Sequence, residues 1–102
     1  MTDEKQPELL AACLSALRIP EFCPDYDDEV QDLIEAARAA LVAGGVSPAR
    51  AADDTDHSVR VAIKVYVKAN FGMDNPDADR LNQSFQDLLC RMAGSEEYRG
   101  GR

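Results

Sequence analysis

The side chains best equipped to bind a metal or move a proton gather at Asp53-Asp54-Thr55-Asp56-His57. Carboxylates beside the chain's one histidine are the raw material of a metal site. A calcium loop, however, needs a central glycine and a distal glutamate at set spacing, and both are missing. A turn followed by a helix N-cap uses the same letters, because short polar side chains bond nearby backbone N–H groups. The capping reading is preferred, and no metal ligand or cofactor is assigned. No serine or cysteine nucleophile is recognisably paired with His57, so no catalytic residue is assigned and no enzyme is expected. The carboxylates of Asp27, Asp28, Glu29, Asp32 and Glu35 read as a solvated helix face rather than an acid/base pair. Gly44-Gly45 lacks the lysine of a phosphate-cradling loop. Arg60, Lys64 and Lys68 form a short basic ridge, better suited to solubilising a helix edge or meeting acidic partners than to holding nucleic acid.

The stretch that must organise these groups is His57 to Phe71, the most apolar part of the chain. Period two would place Val59, Val61, Ile63, Val65 and Val67 on one face of a strand. Period 3.6 places Val59, Ala62, Ile63, Tyr66, Val67 and Asn70 in one stripe. Its length favours a helix, with Asp56 or Ser58 as N-cap and Gly72 in the left-handed position beyond the last turn. Val61 and Val65 then fall outside the stripe, so apolar surface covers more than half the circumference. Such a helix belongs at the centre of a bundle or between a bundle and a neighbouring subunit.

The other elements follow in order. Pro7 to about Arg18 carries the stripe Leu9, Leu10, Cys13, Leu14 and Leu17, and Ile19-Pro20 ends it. A loop with Cys23-Pro24 leads to a helix over 27–43, where Asp27, Asp28 and Glu29 favour the positive end of the dipole. Val30, Leu33, Ile34, Ala37 and Leu41 form its apolar stripe, and Ala36, Ala37, Ala39 and Ala40 would let another helix approach closely. Ser47-Pro48-Ala49-Arg50 can form one capped turn in the connector. Asn75-Pro76 opens a last helix over 76–93, with Leu81, Phe85, Leu88, Leu89 and Met92 inside and Gly94 as its stop. Residues 94–102 have no apolar stripe and are expected to be a flexible tail with Tyr98 as its only anchor. The expected fold is all-α: a small four-helix bundle in a single domain over 1–102, with flexible N- and C-terminal tails.

Composition bounds the function classes. The chain has 102 residues and a net charge of −8. Residues 1–56 hold −9 of this and residues 57–102 hold +1. A chain this acidic is poorly suited to gripping DNA. Its uneven charge lets an acidic face of one copy meet a near-neutral face of the next. Three cysteines, Cys13, Cys23 and Cys90, with no C-x-x-C pair, indicate neither a disulfide scaffold nor a zinc site. There is no bilayer-length apolar run and no secretory layout at the N-terminus, so the chain is expected to stay in the cytoplasm where it is made.

Four stretches carry a resemblance. Leu17-Arg18-Ile19-Pro20 is similar to the "LRI" that ends the first helix of the tailed-phage head–tail connector proteins, also called adaptor or head-completion proteins. Residues 27–37, from Asp27-Asp28-Glu29-Val30 to Ala36-Ala37, resemble that family's "DDEI..LI.AA" second helix. Residues 61–72, from Val61-Ala62-Ile63 to Phe71-Gly72, resemble its "AI..YVKA.FG" central helix, and Ser95-Glu96-Glu97-Tyr98 its closing "S..Y". Order and spacing agree from about Leu9 to Tyr98. The departures are the alanine-rich first helix and the Cys23-Pro24 loop.

The resemblance implies a non-catalytic structural subunit of the virion's head–tail interface. It implies a homo-oligomeric ring, dodecameric in virions, that docks beneath the portal protein and extends the channel for double-stranded DNA. The ring would also present a surface to the next head-completion or tail protein. On that reading Asp27, Asp28, Glu29 and Asp32 are expected to face the channel and repel phosphate. Tyr98, Arg99 and Arg102 are expected to dock on the portal, and Val61, Lys64, Val65 and Lys68 to meet a neighbouring subunit. The alternative is a small acidic regulatory protein that sequesters a basic partner.

Overall fold

The computed structural model describes residues 9–19, 26–72 and 75–99. Its helices are α1 (Leu9–Ala16), α2 (Asp27–Ala43), α3 (Pro48–Ala51), α4 (His57–Asn70) and α5 (Ala78–Ala93). The described residues contain no strand, so the ambiguous valine-rich stretch is a helix. The four longer helices form the bundle, and α3 is a single turn in the α2–α4 connector.

α4 is the inner element. It packs against α1, α2 and α5. Val59, Ala62, Ile63 and Val67 are fully buried, and Tyr66 meets Phe85 of α5 edge-to-face at 5.0 Å. α2 buries Val30, Ile34, Ala37 and Leu41, the spacing its apolar periodicity dictates. Leu9, Cys13 and Leu14 close the core from α1, and Phe85, Leu89 and Met92 from α5. Val61 and Val65, expected on an uncovered flank, are half-buried.

Two helices end in the same hydrogen-bonded turn. After α2, Val46 N–H donates to the Leu41 carbonyl at 2.9 Å and Gly45 N–H to Val42 at 3.1 Å. Gly45 takes the left-handed conformation (φ 119°) that this closure requires, and Leu41 and Val46 are both buried against the core. After α1, Ile19 N–H reaches Leu14 at 2.9 Å and Arg18 N–H reaches Ser15 at 3.0 Å. Here Arg18, not a glycine, holds the positive φ of 64°. The helix therefore stops at Ala16 through this turn, earlier than Arg18 and ahead of the Ile19-Pro20 stop read from sequence.

Asn75 acts differently from the N-cap expected of it. Its Oδ1 accepts from Asp77 N–H at 2.9 Å in a turn, and α5 starts two residues later than Pro76, at Ala78. Its side-chain amide donates to the Lys68 carbonyl at 2.6 Å, satisfying an orphan acceptor at the end of α4.

The C-terminal tail also differs from expectation. Residues 95–99 fold back in turns onto the α3–α4 connector, and Tyr98 packs against the core cluster. The expected starts at Pro7 and Glu8, the Cys23-Pro24 loop and the last residues from Gly100 lie outside the described residues.

Gly45→Ala should destabilise the fold by about 1–2 kcal/mol, because a Cβ makes the left-handed conformation costly. Arg18→Gly should stabilise it by about 0.5–1 kcal/mol for the converse reason. Thermal unfolding followed by circular dichroism reads both, at about 4–8 °C per kcal/mol for a chain of this size.

Candidate functional site

The cluster at residues 53–57 folds into a knot of structural bonds. Asp53 Oδ1 accepts from the Thr55 hydroxyl at 2.6 Å and the Thr55 N–H at 3.0 Å. These two bonds hold its carboxyl below the usual aspartate range, the hydroxyl contributing most. Asp54 takes Arg38 Nη2 of α2 at 2.7 Å, and its carbonyl takes Arg60 Nη1 of α4 at 2.9 Å. Arg38 Nη1 also reaches the carbonyl of Ala51, at the open end of α3, at 2.9 Å.

Asp56 is the centre of the knot. Its carboxylate caps α4, accepting from Val59 N–H at 3.1 Å. It also accepts from the Tyr98 hydroxyl at 3.0 Å and from Arg50 Nη1 at 3.5 Å. Its side chain is only 11% exposed. Arg50 lies over the Tyr98 ring, 5.4 Å from its centroid, and Nε donates to the Glu97 carbonyl at 3.2 Å. Ser47 N–H donates to the Tyr98 carbonyl at 2.7 Å, while Ser47 Oγ caps α3 by accepting from Arg50 N–H. The Tyr98 phenol feels opposing effects. Ser58 lowers its pKa, but burial and the charges of Asp56 and Glu97 outweigh this and raise it above the ordinary value.

This arrangement positions backbone. The carboxylates of the cluster hold donors, and His57 is exposed on the first turn of α4. Burial pushes the Cys13 thiol up to about 11, so it is a protonated core side chain near neutral pH. Among the described residues no group of three or more His, Cys, Asp or Glu side chains is placed to hold a metal ion. No described helix is long and apolar enough to cross a membrane.

The residues expected to meet partners are spread over the surface. Asp28, Glu29 and Asp32 are exposed on α2, and Asp27 is half-buried at its start. Lys68 is exposed and Lys64 half-buried on α4. Arg60 leaves the expected basic ridge: it is 8% exposed and turned inward to Asp54. A four-residue step on an α-helix advances about 40° beyond a full turn, so Arg60 lies about 80° round the helix from Lys68, on the side from which its guanidinium reaches the Asp54 carbonyl. Tyr98 points into the knot, Arg99 is exposed, and Arg102 lies outside the described residues. The sequence reading passed over Arg38. Its signal was a lone cation beside Ala37 and Leu41, flanking an apolar stripe.

Tyr98→Phe should cost about 1–2 kcal/mol by removing a hydrogen bond to a charged acceptor. Deleting residues 95–102 should likewise lower the thermal midpoint, an outcome a free tail would not give. A phenol whose folded pKa is raised contributes stability that is present below the unfolded value, near 10, and lost as pH rises through the folded value. The wild-type chain should therefore lose stability in this alkaline range more steeply than Tyr98→Phe. Urea titrations at pH 8 and above check it.

Neither curated proteins nor solved structures give a significant match to this chain. The family model described as "Phage connector protein" matches residues 9–99. That match starts at the first residue of α1 and runs through the turns that carry Tyr98. The chain belongs to the phage connector protein family.

Proposed function

We propose that this chain is the subunit of a ring that binds beneath the portal, extends the DNA channel and joins head to tail. The coarser part follows from family membership: a phage connector is a structural component of the virion that assembles with portal or tail proteins. The observation that carries the reading is the extent of the match, which takes in every described helix. The site geometry supports it, because the cluster that could have been reactive is engaged in holding helix ends together. The net charge of −8 supports passage of DNA without adhesion, since phosphate binding needs cations. A copy number of twelve belongs to the same proposal. So does a portal contact at the end of the chain, where Arg99 is exposed and Tyr98 anchors the segment from inside.

Sedimentation and electron microscopy of the purified chain, alone and with its cognate portal protein, test this. Rings or portal-bound collars are expected. A stable monomer that ignores portal, yet captures a basic protein, would instead make it an acidic sequestering factor.

A further inference from the structure

Two outward helix faces have matching dimensions and opposite chemistry. On α2, Asp28, Asp32, Ala36, Ala39 and Ala43 are all exposed and line one side, opposite the buried Val30, Ile34, Ala37 and Leu41. Its N-terminal half is acidic and its C-terminal half carries only methyl groups, with Val42 beside it 40% exposed. Nothing on this stripe is longer than aspartate, so another helix can approach at the close end of the usual 8–10 Å range. On α4, His57, Val61, Lys64 and Lys68 line the side opposite the fully buried Val59 and Ile63. Its C-terminal half is cationic and its N-terminal half carries Val61. None of Asp28, Asp32, Lys64 and Lys68 takes part in an ion pair among the described residues.

We infer that the α2 face of one copy receives the α4 face of the next copy, the two helices running antiparallel. The inference rests on the ring reading above and names the surfaces that would close the ring. Asp32 and Ala39 are seven residues apart, as are Val61 and Lys68, and each pair spans about 10 Å of helix. With Asp32 against Lys68, Ala39 therefore meets Val61. In the same register Lys64 lies over Ala36, its stem on the methyl and its ammonium toward Asp32. His57 falls beside Ala43, at the negative end of the α2 dipole. Both faces point away from the shared core, so a chain cannot satisfy one with the other. Each copy gives one face and receives on a different one, which is the head-to-tail contact that builds rings. The contact uses Asp32 between copies, not on the channel wall expected from sequence.

A zero-length carbodiimide cross-link, which joins a carboxylate to an amine, reads the pairing directly on the full chain. Equal amounts of ordinary and ¹⁵N-labelled protein, with portal present, separate links between copies from links within one. An Asp32–Lys68 link between copies is expected. Asp32→Lys and Lys68→Glu should each weaken assembly at least tenfold, and the double variant should restore it, with helical circular dichroism unchanged in all three. No Asp32–Lys68 link between copies, or a double variant as impaired as the singles, overturns the face assignment. If the parent chain still assembles on portal in that case, the connector reading stands. If the parent neither assembles nor binds portal, both fall.

Discussion

Enclosure of α4 is the constraint on which the remaining structure depends. A helix of 14 residues is marginal by itself in water, and a valine-rich one more so. It persists because α1, α2 and α5 each lay an apolar face on it, leaving Val59, Ala62, Ile63 and Val67 without solvent contact. The turns at Arg18 and Gly45 end α1 and α2 and tuck the next apolar residue back toward the core, in the second case burying Val46 completely. Gly44 lets α5 come close, since a Cβ there would lie within 3 Å of the Leu89 side chain.

Where apolar packing runs out, charge takes over. The connector between α2 and α4 carries few hydrophobic side chains, and Arg38, Arg50 and Arg60 pull it inward by donating to carbonyls and carboxylates. Several of these pairs are partly exposed and individually contribute little. Their value is geometric: they fix Asp56 where it can cap α4 and still accept from Tyr98. The residues that most resembled a ligand set are therefore the fastening between the bundle and its ends.

Much of the fold was legible because its helices are amphipathic. The spacing of Val30, Ile34, Ala37 and Leu41 placed α2 at the residues it occupies. Asp56 and Ser47 were readable as caps, since capping is local and acts over three residues. The fold-back of residues 95–99 was not readable, because it depends on a partner 42 positions away in the chain. Arg60 was misplaced because its guanidinium turns back to the Asp54 carbonyl in the preceding connector, a partner that helical spacing does not show. The surface roles of the acidic and basic residues were legible only as charge, since neither pattern nor packing within one copy says what lies opposite.

The bond between Tyr98 and Asp56 also sets how the molecule would respond to load. It couples the last described turn to the start of α4, not to the end of α5 from which that turn emerges. Tension applied through the C-terminus would strain the phenol–carboxylate link early and disturb the first turn of the innermost helix. Force from that end would thus be delivered to the middle of the domain before α5 frays, so a pull on the terminus is felt as a loosening of the core.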